Sequence, residues 1–314
     1  MRDDAQLWND LLWSSGGALE LPKCSYHYLH YNFTPNGSPI LRPGRIGPNL
    51  VIQTGDRKGE QVIPPMSAYK AHKTLGHYKS PAGGEVKQIE ILRKQSDLLA
   101  LQAETANVTR REAWTFYFAM YLTSVGYPLP NCHIRWKDLD RIQRRAMNAM
   151  LSKCGFNRNM HRSIVYGPNR YSGAGFRHLY TVQGEGGVTS LIRNIRHGGN
   201  VGQIQRIAIS WCQLVAGTGV SIFRDVSTKL PHLENKWIPS IRTFLHSING
   251  QLELDEDYVP PTQRENDSYI MDYVLRSGKF KAWEIRLVNY CRMYLQCTTV
   301  SDITLANGIY IDEG

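Results

Sequence analysis

Apolar positions follow two regimes along the chain, and the change comes near Gly84. Residues 3–15 place Leu7, Leu11 and Leu12 at helical spacing with Trp8 beside them, and Gly16-Gly17 ends the run, so an amphipathic helix is expected. From there to Gly84 the apolar runs are short, aromatic and β-branched. Residues 24–31, 50–53 and 61–63 and a segment around 73–78 read as strands between turns rich in Pro and Gly. Beyond Gly84 the period becomes helical. Helices are expected over 88–104, over 110–124 (capped by Thr109 and apolar nearly all round) and over 138–153. Five more follow over 178–193, 201–215, 237–248, 267–276 and 283–295. The clearest is 138–153: Leu139, Ile142, Ala146, Met147, Met150 and Leu151 form one stripe, Arg141, Arg144 and Arg145 occupy the other side, and Gly155 stops it. Gly173-Ala174-Gly175 and Gly184-Glu185-Gly186-Gly187 read as turns. The fold class is α+β and predominantly helical. Three regions are expected: a small β-containing unit over 1–82, a basic helical region over 83–177 and a helical C-terminal region over 178–314.

Composition narrows the class. A chain of 314 residues with 42% apolar and 20% charged positions can bury a core, which excludes wholesale disorder. No run approaches the ~18 apolar residues of a membrane span, and the acidic start Met1-Arg2-Asp3-Asp4 does not read as a signal peptide. The six cysteines, at 24, 132, 154, 212, 291 and 297, stand apart, which excludes a dense disulfide scaffold or a zinc site built on close cysteine pairs; most are expected to be buried. A soluble intracellular protein is the expectation.

The formal charge of +10 is concentrated. Residues 135–177 carry ten Lys+Arg against two Asp+Glu, whereas 250–314 carry six against eleven. Such a band suits phosphate backbones or an acidic partner, and its bland reading is a solvated helix face. Catalytic candidates fare poorly. Asp3-Asp4 opens a helix, where carboxylates favour the positive end of the dipole, and Asp255-Glu256-Asp257 reads as an acidic loop beside Pro260-Pro261. His27 and His30 fall on opposite faces of their strand, and His72 and His77 read as surface or packed histidines.

One ordered set of motifs rises above this. Ser15-Gly16-Gly17-Ala18-Leu19-Glu20-Leu21-Pro22-Lys23-Cys24, between a helix and an aromatic strand, resembles the stretch that follows the catalytic carboxylate strand in retroelement reverse transcriptases. Lys73-Thr74-Leu75-Gly76-His77-Tyr78 is similar to that family's primer-grip hairpin. Arg110-Arg111-Glu112-Ala113-Trp114 through Tyr127-Pro128-Leu129-Pro130 resembles the helix and turn that follow the thumb, and Asp140-Arg141-Ile142-Gln143-Arg144-Arg145-Ala146 their recurring Ile-Gln-Arg-Arg helix. Asn157-Arg158-Asn159-Met160, Tyr166-Gly167-Pro168 and Gly173-Ala174-Gly175-Phe176-Arg177-His178-Leu179 resemble the Gly-rich segment after it.

The resemblance implies the end of a polymerase palm, a thumb-like helical region and a helical C-terminal region of an RNA-directed DNA polymerase. It also implies that the catalytic Asp-Asp hairpin is missing, because Asp3-Asp4 lies inside the helix that leads into the glycine turn. Without those carboxylates Mg²⁺, the intact family's metal, has no holder, so no cofactor and no polymerase activity are expected of the chain alone. What remains is binding of an RNA or DNA primer–template, or assembly with a separate catalytic half. Lys23 matches a lysine near the outgoing pyrophosphate, and Leu75 and Gly76 match the primer grip. Arg141, Arg144, Arg145, Lys153, Arg158, Arg162, Arg170 and Arg177 form a phosphate track, with Tyr166, Tyr171 and Phe176 available to stack on bases. The alternative is a helical protein–protein interaction or scaffold domain with no nucleic-acid role, whose basic middle pairs with its own acidic residues 250–314.

Overall fold

The computed structural model describes residues 2–20, 23–34, 39–42, 47–234, 236–255, 258–305 and 310–311. The acidic positions Glu256, Asp257, Asp312 and Glu313, and Leu21-Pro22 of the first motif, lie outside them. The chain is predominantly helical α+β, and among the described residues its strands form four separate two-stranded sheets. It divides into two compact units, Met1–Leu98 and Leu99–Gly314.

The first unit opens with α1 (Arg2–Ser14), whose Asp3 and Asp4 sit in the first turn. Its strands are β1 (Tyr26–His27), β2 (Tyr31–Phe33), β3 (Pro39–Leu41), β4 (Leu50–Gln53), β5 (Glu60–Ile63), β6 (Pro65–Met66), β7 (His72–Thr74) and β8 (His77–Lys79). β1 pairs with β6 in parallel, while β2–β3, β4–β5 and β7–β8 are antiparallel. The single strand expected over 24–31 is therefore two, because its ends pair with different partners. α1 docks on β4 through polar groups. Arg2 Nε donates to the Val51 carbonyl (3.1 Å), Asn9 Nδ2 to that of Gln53 (3.1 Å), and Gln6 Oε1 accepts from the Gln53 N–H (2.7 Å). Asn9 is the buried residue of α1, while Leu7, Trp8 and Leu11 are exposed. Of the leucines that mark this helix in the sequence, Leu12 is half-buried, and the line of Leu7 and Leu11 is not its packed face. A small core of Ile52 and Ile63 gathers Leu19, Tyr26 and Leu50.

The boundary of the units falls within α2 (Val86–Thr105). Thr109 and Glu112 form a reciprocal capping box at α3 (Arg110–Thr115), which runs through a π-helical segment, Phe116–Tyr121, into α4 (Leu122–Gly126). This stretch is not buried all round as expected: Ala113, Tyr117, Tyr121 and Val125 face inward, but Phe118 and Met120 are exposed. Then come α5 (Trp136–Lys153), α6 (Arg162–Tyr166), α7 (Leu179–His197), α8 (Asn200–Ala216), α9 (Trp237–Ser247), α10 (Ile270–Ser277) and α11 (Ala282–Tyr294).

Phe176 anchors one core, stacking on Trp114 at 4.6 Å and meeting the Tyr117 ring edge-on at 4.9 Å. A second core joins Leu191, Ile209, Phe223, Ile238 and Leu245, and a third Met271, Val274 and Ile285. Gly184-Glu185-Gly186-Gly187 is a correction. These residues lie inside α7, where a side chain at Gly184 would overlap the Phe244 ring and one at Gly186 would meet Pro130. Close helix packing, not a turn, demands glycine there. Cys132, Cys154 and Cys212 are buried, Cys24 and Cys297 are half-buried, and Cys291 is exposed. No helix among the described residues is long and apolar enough to cross a membrane.

Candidate nucleic-acid interface

The apolar stripe of α5 is buried as its period requires, which turns Arg141, Arg144, Arg145, Asn148 and Ser152 away from the core. Gly155, at φ +82°, lets the chain reverse, and the Phe156 N–H closes the helix end on the Leu151 carbonyl at 2.8 Å. The reversal brings two later arginines back onto the same face. Arg158 Nε donates to Ser152 Oγ (2.6 Å) and Arg162 Nη2 to Asn148 Oδ1 (3.3 Å). The Arg110 guanidinium lies over Gly155, where a Cβ would stand 2.7 Å from its Nε.

Several charges of this band are internally compensated. Arg144 pairs with Asp140 (2.8 Å), Arg141 with Asp138 (3.8 Å), Arg145 with Glu104 (2.8 Å) and Arg177 with Glu185. The Arg145 guanidinium holds the Glu104 carboxyl below its ordinary range through its hydrogen bonds, and the charge of Arg158 adds to this. Exposed pairs of this kind contribute only ~0.2–1 kcal/mol each, so they yield readily to a phosphate. Lys153 leaves the track: its Nζ donates to the Ala106 carbonyl at 2.6 Å, beyond the end of α2. Arg170 is exposed and sits 4.8 Å from the centre of the Tyr171 ring.

The Gly-rich segment forms a tight crossing. The Ala174 N–H reaches the Ile164 carbonyl (2.7 Å) and that of Phe176 the Val165 carbonyl (3.0 Å), while a Cβ on Gly173 would overlap the Gly167 carbonyl. This loop presents Asn169-Arg170-Tyr171. Of the three expected stacking rings, Tyr171 alone is available: Phe176 is 2% exposed, and Tyr166 packs edge-on to His178 at 5.1 Å, its hydroxyl pushed up to about 12 by burial. Gln143 of the Ile-Gln-Arg-Arg motif is a buried tie. Its Nε2 donates to the Arg177 carbonyl (2.8 Å) and its Oε1 accepts from the Leu179 N–H (2.9 Å), which fixes the loop's exit to α5.

The first unit holds the other candidates. Lys23 is an exposed side chain paired with Glu20 at 2.9 Å. Leu75 and Gly76 form the two-residue turn between β7 and β8, at φ +47° and +83°, the pattern of a type I′ hairpin. A leucine held at positive φ and 86% exposed is strained backbone offered to solvent. Asn148, Ser152 and Arg110 belong to the α5 face but escaped sequence reasoning, although 141, 144/145, 148 and 152 share one helical line. The face offers charge-assisted hydrogen bonds to anionic oxygens. Comparison with protein-family models, with curated proteins and with solved structures finds no match to the chain.

Proposed function

We propose that the chain is a nucleic-acid-binding remnant of a retroelement reverse transcriptase, holding a primer–template duplex without polymerising on it alone. The observation that carries this reading is the gathering of Arg145, Arg158 and Arg162 on one exposed face, with Ser152 and Asn148 holding Arg158 and Arg162 in place as acceptors. Phosphate binding needs several cations at fixed positions, and the tie through Gln143 and the Gly155 reversal supply that fixity. Leu75-Gly76 at a hairpin tip supports the primer-grip resemblance, since a primer end requires close backbone approach. In this reading residues 1–82 are the end of a palm, 83–177 a thumb-like region and 178–314 a C-terminal region. The exposed Leu7, Trp8 and Leu11 of α1 support a catalytic half supplied in trans. The scaffold alternative draws less support, because among the described residues the ion pairs of the band run to Glu104, Asp138, Asp140 and Glu185 rather than to positions in 250–314.

The test is duplex binding at two salt concentrations, about 50 and 200 mM, where several phosphate contacts make affinity fall by orders of magnitude. No binding at the lower salt contradicts the reading. Primer extension with Mg²⁺ or Mn²⁺ is expected to give no product, and robust extension would show that the carboxylates are present after all.

A further inference from the structure

The acidic C-terminal segment conceals a surface of opposite sign. Of the six Lys+Arg beyond residue 250, five fall within 270–294, opposed there by Asp272 and Glu284 alone. Both carboxylates are engaged by backbone: Asp272 Oδ2 accepts from the Gly219 N–H (3.1 Å) and Glu284 Oε2 from the Lys281 N–H (2.6 Å). Arg292 is buried, its Nη2 donating to the Leu214 and Val215 carbonyls at the end of α8. The other four cations, Arg276, Lys279, Lys281 and Arg286, are exposed. Between them stand five exposed rings: Tyr273, Phe280, Trp283, Tyr290 and Tyr294.

These groups are ordered. On α11 the inward line is Ile285, Asn289 and Arg292, so the helical period puts Trp283, Arg286, Leu287, Tyr290 and Tyr294 together on the outward side. From Trp283 to Tyr294 that line runs about 16 Å along the axis. Two of its members are braced: Tyr290 Oη donates to Glu234 Oε1 (2.7 Å) and Arg286 Nε to the Pro231 carbonyl (3.1 Å). Tyr273 and Arg276 of α10, with Lys279 just beyond its end, line an open cleft of about 570 Å³. Asp267 and Asp272 also line it, and Asp267 is held by the Ser268 and Ser301 N–H groups.

We propose that the α10–α11 hairpin is a binding surface for single-stranded nucleic acid, its rings stacking on bases and its exposed cations meeting phosphates. Stacking tolerates any base and contributes ~1–3 kcal/mol per base, whereas a duplex hides its base faces, so this surface selects single strands. A bilayer is a poorer occupant, because the outward line of α11 contains one aliphatic residue, Leu287, where an interfacial helix buries a continuous apolar face. The surface shares no residue with the α5 face.

The experiment measures anisotropy of a labelled oligothymidylate of about 20 nucleotides on the full chain, beside a labelled duplex and anionic vesicles. Trp283→Ala and Tyr294→Ala change exposed side chains. Each is expected to weaken oligothymidylate binding ~5- to 100-fold, with Trp283→Phe retaining most of it, and to leave duplex binding within about twofold. Oligothymidylate binding that survives the double alanine variant, or is absent from the unaltered chain, overturns the proposal. So do equal losses for duplex and single strand, or losses confined to vesicles. A chain that fails on duplex but binds oligothymidylate through Trp283 refutes the duplex reading and leaves this surface standing.

Discussion

Acid should destabilise the second unit through the buried His232. His232 is 3% exposed, its Nε2–H donating to the Ala216 carbonyl at 3.2 Å at the end of α8. Its Nδ1 is buried without a hydrogen-bond partner, so a proton there gains nothing. Burial, reinforced by the charges of Arg292 and Arg242, pushes the imidazole down from 6.5 to about 4. The folded value lies below the unfolded one, so the unfolded chain takes the proton first. The stabilisation is complete above about 6.5, declines as pH falls through that value and is lost by about 4. At ~1.36 kcal/mol per unit the full loss is about 3 kcal/mol, a large part of a typical domain's stability. His232→Gln keeps an amide donor for Ala216 and does not titrate. Urea denaturation at steps from pH 7.5 to 4 should therefore show the wild type losing about 3 kcal/mol more than the variant. His178, depressed by its own burial, titrates in both proteins and cancels. Parallel stability–pH curves for the two would refute the reasoning.

Three further outcomes follow from the packing. Gly173→Ala should unfold the loop that carries Arg170, costing at least ~2 kcal/mol in chemical denaturation, because the new methyl overlaps the Gly167 carbonyl. Gln143→Leu should cost ~1–3 kcal/mol by stranding the buried Leu179 N–H, the Arg177 carbonyl keeping its bond from the Tyr117 hydroxyl, while Tyr117→Phe, which leaves Gln143 bonded to both, should cost less. Leu75→Gly should leave the melting temperature unchanged or slightly higher, by relieving positive φ, yet weaken duplex binding if the hairpin tip meets the primer.

Legibility in the sequence tracked how local each cause is. The α5 helix, with its stripe, its arginine side and its Gly155 stop, is readable because a single period sets all three. α7 hid its glycines: the low helix propensity of Gly184, Gly186 and Gly187 argues for a turn, and the approach of Phe244 and Pro130 explains Gly184 and Gly186. α1 misleads in the opposite way, since Leu7 and Leu11 are exposed and Asn9, a residue with no apolar signal, is the one buried against β4. At the candidate site the arginines were visible as a composition bias. Which of them share a face was not, because Arg158 and Arg162 return to α5 only through the Gly155 reversal. Net charge over 250–314 likewise masked the basic surface of α10 and α11, since its carboxylates lie mostly elsewhere in that segment.

The central claim, that the α5 face binds phosphates, is tested most directly by the salt slope of duplex affinity for the unaltered chain and for Arg145→Ser/Arg158→Ser/Arg162→Ser. Each phosphate contact contributes a slope of about −0.9 in log K against log salt, so the triple variant should be shallower by nearly 3 and bind correspondingly more weakly at low salt. An identical slope and affinity for the two proteins would contradict the account.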